Sequence, residues 1–235
     1  MQRLDKILSE AGVASRRELR AIIRAGRVCV DGVTARSESD KYDEQTACIT
    51  LDGREIVKRY TVLLMLHKPA GFVTSSDDPS GPTVMELIPE NYRRLGVMPV
   101  GRLDKATEGL LLFTNDGVLA HRLISPRSGV WKTYYAEHTG TAGEDDVAAF
   151  AAGMTLGDGT KCLPARLTPQ GEGRSLIEVQ EGKYHQVRRM MACRAMPVSY
   201  LKRVAEGSIT LDGLEKGACR ELPLSALAGV LDGGL

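Results

Sequence analysis

One carboxylate in this sequence invites a chemical question. Asp104 stands between Arg102 and Lys105, in a short polar segment flanked by apolar stretches. An aspartate so placed is ordinarily a turn former or a helix cap. Ionised, it can also act as a nucleophile, remove a proton, or stabilise a cation left by a departing group. Other catalytic layouts are missing from the chain. There is no G-x-x-x-x-G-K-[ST] phosphate cradle, no G-x-G-x-x-G between a strand and a helix, and no G-x-S-x-G elbow. Cys29, Cys48, Cys162, Cys193 and Cys219 form no C-x-x-C pair, and the four histidines show no H-x-x-x-H spacing. Neither a disulfide framework nor a metal site is expected, and no cofactor.

The segments around Asp104 read as a mixed α+β domain. Val62–Leu66 is a continuous apolar strand ended by Pro69 and Gly71, and Phe72-Val73-Thr74 restarts it. A loop follows over 77–82. Gly109 to Phe113 is a second apolar strand, closed by the turn Asn115-Asp116-Gly117, with a helix from Val118 to Ile124. Leu176–Val179 reads as a strand, and Tyr184 to Cys193 as a helix carrying Arg188 and Arg189.

Ahead of these lies a small basic unit. Leu4, Ile7, Leu8 and Ala11 fall on one helical face, ended at Gly12. Ser15 and Glu18 form a capping box for a second helix bearing Leu19, Ile22 and Ile23. Val28-Cys29-Val30 reads as a strand with Asp31-Gly32 as its turn. Cys48 to Leu51 is another strand, leading to Asp52-Gly53, and Lys58-Arg59-Tyr60 reads as a linker. The whole chain carries only +1, yet residues 1–36 hold eight basic side chains against four acidic ones. Arg16, Arg20, Arg24 and Arg27 fit within an arc of roughly 80° on a helical projection. A row of guanidiniums suits phosphate, since each donates two parallel hydrogen bonds. The alternative is a solvated helix face.

Length and composition set the limits. The 235 residues are 43% hydrophobic and 26% charged, which is ordinary globular composition and excludes a disordered or collagenous chain. The longest apolar run is far short of the ~20 residues of a membrane span. Arg3, Asp5 and Lys6 interrupt any signal-like start, so a cytoplasmic protein with no membrane partner is expected.

Two sets of strings resemble known families. Arg3-Leu4-Asp5-Lys6, Ser15-Arg16-Arg17 and Gly26 to Gly32 resemble the RNA-binding module named after small-subunit ribosomal protein S-four, over roughly residues 1–58. Gly101-Arg102-Leu103-Asp104-Lys105-Ala106-Thr107-Glu108-Gly109 through Gly117 is similar to the signature of RNA pseudouridine synthases, the RsuA branch above all. His67-Lys68-Pro69-Ala70-Gly71, Lys132-Thr133-Tyr134 and Glu181-Gly182-Lys183-Tyr184-His185-Gln186-Val187-Arg188-Arg189-Met190 support it in order and spacing. Relatives mostly carry Asn where this chain has His67.

The resemblance implies a pseudouridine synthase domain over 61–235, with a large mixed, mainly antiparallel sheet flanked by helices. It implies a cofactor-free isomerisation of a flipped-out uridine. In it, Asp104 matches the family's aspartate, Arg188 the basic residue that pairs with it, and Tyr134 the active-site tyrosine. Arg102 contacts the target's phosphate or fills the space left by the base, and Arg189, Lys202 and Arg203 are candidates for backbone phosphates. Arg3, Lys6, Arg16, Arg17, Arg20, Arg24 and Arg27 are the RNA-facing cations of the first unit. His185 is expected to be structural. The loop Thr74 to Pro79, with Pro82-Thr83-Val84 after it, resembles the small-subunit branch, so small-subunit (16S) rRNA is the expected substrate, free or within an assembly intermediate. Large-subunit rRNA, or a non-catalytic assembly factor on the same fold, are the alternatives. With no heptad pattern, a monomer is expected.

Overall fold

The computed structural model describes residues 1–44, 46–56, 61–79 and 81–231. The expected linker at Lys58-Arg59-Tyr60, and Ser80 of the expected loop, lie outside the described residues. The chain divides into two compact units, one of Met1–Tyr60 with Glu90–Gly96, the other of Thr61–Pro89 with Val97–Leu235. Among the described residues no helix is long and apolar enough to cross a membrane.

The first unit is built on two helices, Leu4–Glu10 and Arg16–Arg24. The second starts where its capping box requires. Ser15 Oγ accepts from the Glu18 amide, and the Glu18 carboxylate accepts from the Ser15 amide at 2.9 Å. Leu4, Leu8, Leu19 and Ile23 are buried together with Val28, Val30 and Ile49, so the helices close over one face of a small sheet. That sheet has four strands in the order Val33–Thr34, Val28–Val30, Ile49–Leu51, Arg54–Glu55. Its first hairpin turns through Asp31 (φ 50°) and Gly32 (φ 80°), the pair of left-handed residues a tight type I′ turn needs. The guanidinium row needs correction here. The helix ends at Arg24, so Arg27 lies outside it, at the entry to Val28–Val30. Arg20 pairs with Glu38 at 2.7 Å and Arg27 with Asp52 at 2.5 Å, acids that the fold brings from elsewhere. Arg3 pairs with Asp5, and Lys6 with Glu10. Arg16, Arg17 and Arg24 make no ion pair among the described residues.

The second unit is organised by a nine-stranded sheet. Its main path runs Arg166–Pro169, Arg174–Val179, Lys132–His138, Val198–Glu206, Glu108–Thr114, Leu63–Lys68, Cys219–Leu222. Met98–Val100 and Ile209–Thr210 pair off this path. All pairings are antiparallel except Val198–Glu206 against Glu108–Thr114. The sheet is thus mixed and mainly antiparallel, and the chain is α+β. Leu63–Lys68 and Glu108–Thr114 are buried along their whole length, which explains why both read as continuous apolar runs rather than alternating ones. Helices Gly117–Ile124 and Gln186–Cys193 flank the sheet.

Two expected elements differ. Phe72-Val73-Thr74 is loop, joined to its surroundings by a single bridge from Val73 to Thr83. Thr74 spends its hydroxyl on the backbone of Leu103 instead of extending a ladder. The helix expected from Tyr184 starts two residues later, at Gln186, because His185 is left-handed (φ 49°).

The one parallel pairing depends on a glycine. Gly109 sits opposite Arg203 with φ +113°, and a Cβ there would lie 2.1 Å from the Arg203 carbonyl oxygen. Gly109→Ala is therefore expected to destabilise the chain by about 3 kcal/mol, the upper range for overpacking, measured by urea unfolding. Unchanged stability would contradict this close approach.

Candidate active site

A cavity of about 520 Å³ opens in the second unit. Asp104 and Tyr134 both line it, with Arg102 and Lys105 beside the aspartate. Asp104 belongs to no regular element. It lies in the connection between Met98–Val100 and Glu108–Thr114, so its backbone must be fixed by other means.

Lys68 supplies most of that fixation. Its side chain is wholly buried, and its ammonium donates to the carbonyls of Pro69 (3.0 Å), Asp104 (3.2 Å) and Thr107 (2.9 Å). An ammonium has three protons, and a fourth carbonyl, that of Lys105 at 3.4 Å, shares them. From the other side Thr74 Oγ1 donates to the Leu103 carbonyl at 2.7 Å and accepts the Leu103 amide at 3.2 Å. The Gly71 amide donates to the Lys105 carbonyl at 2.8 Å. The aspartate is thus held through its own main chain and its neighbours', leaving its partly exposed carboxylate free in the cavity.

Tyr134 reaches the cavity from the strand Lys132–His138. It faces Arg203 of Val198–Glu206 across the sheet, next to a register shift between Thr133 and Tyr134. The Arg203 guanidinium lies beside the phenol and favours its charged form. It also donates to the Leu110 carbonyl at 2.6 Å and pairs with Glu206 at 3.4 Å, and Glu206 in turn lies 3.9 Å from the Lys132 ammonium. Burial pushes the Tyr134 phenol up, partly opposed by Arg203, so it keeps its proton at neutral pH.

Several expected roles are displaced. Arg203 is 2% exposed and cannot reach a phosphate in this arrangement; it braces Tyr134 from within the sheet. Arg188 was expected to pair with Asp104, yet it donates to the Val198 carbonyl at 2.9 Å and does not line the cavity. The side chain facing the carboxylate is His185, with Nε2 3.6 Å from Asp104 Oδ1. The left-handed backbone at His185 places it there, a conformation that sequence periodicity does not reveal. Arg189 is engaged with Asp158 at 2.5 Å. Lys202 is half-buried and does not line the cavity. Arg102 is exposed at the cavity. His67 is buried, with Nδ1 2.7 Å from the Leu214 carbonyl, remote in role from the cavity wall. Lys68 was visible only as part of a motif; its place two residues beyond the apolar run Leu63–Leu66 was the signal for a buried ammonium.

Residues 62–193 match the family described as RNA pseudouridylate synthase, and residues 2–46 match the S4 domain. The chain belongs to the RNA pseudouridylate synthase family. An RNA pseudouridine synthase of Bacillus subtilis, itself uncharacterized, is 38% identical over 94% of both chains. A Vibrio cholerae protein named ribosomal small subunit pseudouridine synthase A is 38% identical over 97% of this chain and 99% of its own. A solved structure titled as a pseudouridylate synthase superposes with a TM-score of 0.68 at 31% identity, covering 98% of this chain and 100% of that one. The reaction of this pseudouridine synthase is the isomerisation of uridine to pseudouridine in RNA. Among the described residues no group of three or more His, Cys, Asp or Glu side chains could hold a metal ion.

The buried lysine has a measurable consequence. Burial lowers the Lys68 ammonium from 10.5 to about 8, against the opposing pull of Asp104 and Glu108. Between these values the unfolded chain holds the proton and the folded chain has released it, so stability rises with pH across the window. Between about pH 7.5 and 9.5 the wild type is expected to gain on the order of 1–2 kcal/mol relative to Lys68→Met. Urea unfolding at both values checks this, and a pH-independent difference would contradict the early proton release of the buried Lys68.

Proposed function

We propose that this pseudouridine synthase isomerises a uridine of small-subunit ribosomal RNA, with Asp104 and Tyr134 as its catalytic residues and Arg188 as a positioning residue. The observation that carries the reading is the placement of Asp104 and Tyr134 on one cavity, the first on a loop fixed through its backbone. A uridine flipped into that cavity meets a carboxylate at its sugar and a protonated phenol at its base. The C1′–N1 bond breaks, the base turns, and a C1′–C5 bond forms. The C5 proton is then lost and N1 gains one, so the net change is an isomerisation needing no oxidant and no energy input. Asp104 acts either as the group that attacks or deprotonates the ribose, or as the stabiliser of the cation left behind. Arg188, held on the Val198 carbonyl within the helix that follows His185, is the cation that positions the Asp104 side of the site.

The choice of RNA rests on two supports. The relative named for the small ribosomal subunit spans nearly the whole of both chains. The S4 domain supplies a basic surface on which Arg16, Arg17 and Arg24 are unpaired among the described residues. In this reading residues 1–58 bind structured rRNA and 61–235 perform the chemistry. Arg102 and Lys202 meet the substrate backbone, and Arg3, Lys6, Arg20 and Arg27 shape the S4 surface beside the unpaired arginines. The chain works as a monomer in the cytoplasm, on free rRNA or on an assembly intermediate.

Incubation with small-subunit and large-subunit rRNA transcripts, followed by pseudouridine mapping, tests the proposal. Wild type is expected to modify one uridine of the small-subunit transcript, and Asp104→Asn none. Product confined to the large-subunit transcript overturns the substrate, and an active Asp104→Asn overturns the site. For the S4 unit, neutralising Arg16, Arg17 and Arg24 is expected to lower the log–log salt slope of rRNA binding by about 2, three contacts at roughly 0.7 each. Neutralising Arg20 and Arg27, already paired with Glu38 and Asp52, is expected to change it less. Equal effects would show that the ion pairs do not divide these residues.

A further inference from the structure

Tyr184 stands at the rim of the same cavity with a ring that the fold leaves uncovered. It lines the cavity and is 75% exposed. Its ring stacks on His185, with centroids 3.9 Å apart and planes 16° from parallel. His185 is the residue whose Nε2 lies 3.6 Å from Asp104 Oδ1. Two flat rings are therefore layered beside the reactive carboxylate, and the outer one faces solvent.

The segment that presents them is braced. The Lys183 amide donates to Gln186 Oε1 at 2.9 Å, and Gln186 Nε2 donates to Glu181, also at 2.9 Å. Glu181 also accepts the Leu163 amide at 2.9 Å. Arg189 donates to the Tyr184 carbonyl at 3.2 Å while its other arm holds Asp158. His185 carries a left-handed backbone at φ 49°, uncommon outside glycine, and histidine is one of the side chains that adopts it most readily. So much fixation around an exposed aromatic that contributes little to the core points to a ligand for its open face.

The chemistry of that ligand follows from the flipping step. A cavity of about 520 Å³ accommodates one nucleotide, so the rest of the RNA must lie outside it. Removing a uridine from a stack leaves its neighbour without a stacking partner. An exposed ring at the mouth replaces that partner, and Arg102 and Lys105 on the same rim match the connecting phosphates.

We propose that Tyr184, backed by His185, is the stacking platform for the unpaired base next to the uridine that enters the cavity. This rests on the pseudouridine synthase reading and assigns part of its substrate recognition. Stacking does not distinguish bases strongly, so the platform selects an unstacked neighbour rather than a particular letter.

The experiment compares wild type, Tyr184→Ala and Tyr184→Phe in single-turnover pseudouridine formation on both rRNA transcripts, at varied enzyme concentration. Tyr184→Ala is expected to raise the half-saturating concentration about tenfold, a typical loss for one base–aromatic stack. The effect falls on half-saturation rather than on the maximal rate, and Tyr184→Phe restores it. Equal half-saturation in Tyr184→Ala, or failure of Tyr184→Phe to restore it, overturns the platform. The same proteins are titrated with a fluorescent oligouridylate of about ten nucleotides, where the same ratio is expected from the lost stack. If wild type modifies neither transcript, the rRNA reading fails while the oligouridylate titration still decides the platform.

Discussion

A reactive side chain on a loop is only as well placed as the main chain beneath it. Here that main chain is fixed by one buried ammonium. Lys68 comes from a strand buried along its entire length, and its protons are shared among the carbonyls of Pro69, Asp104, Lys105 and Thr107. Burying an ammonium is costly, and the depressed titration of Lys68 records that cost. The gain is geometric. A connection with no ladder or helix of its own acquires three charge-assisted hydrogen bonds at its base and two more from Thr74 at Leu103.

Tyr134 is held by a different device. It sits on a strand, so its backbone needs no extra support, but its phenol must be aimed. Arg203, Glu206 and Lys132 form a buried chain of charges behind it. Such buried pairs add little to stability once desolvation is counted. Their value here is orientation. The chain reaches Tyr134 through the antiparallel pairing of Val198–Glu206 with Lys132–His138, while the other edge of Val198–Glu206 runs parallel to Glu108–Thr114 and approaches it closely at Gly109. The same strand order therefore brings together the two ends of the site, the aspartate loop before Glu108 and the tyrosine opposite Arg203.

Much of this arrangement was legible in the sequence. The capping box at Ser15 and Glu18, the two continuous apolar strands and the Asp-Gly turns each follow from local chemistry, and the structure contains all of them. What the sequence concealed depended on tertiary partners. The guanidinium row looked unneutralised because Glu38 and Asp52 lie far along the chain from Arg20 and Arg27. Arg203 looked like a surface cation because burial of an arginine is visible only when its carboxylate and phenol partners are in place. Helical spacing alone continued the last helix back to Tyr184, whereas a left-handed residue turns His185 toward Asp104. In each case a long-range contact overrode a sound local expectation.

The fixation of the Asp104 loop by Lys68 is tested most directly by amide hydrogen exchange. The Gly71 amide donates to the Lys105 carbonyl and the Thr107 amide to the Asp104 carbonyl, so both report on the loop that the ammonium pins. In Lys68→Met, exchange at Gly71, Leu103 and Thr107 is expected to accelerate by at least about tenfold, a local opening easier by roughly 1.4 kcal/mol, while the Lys132–His138 strand keeps its protection. Unchanged exchange at those three amides would contradict the account.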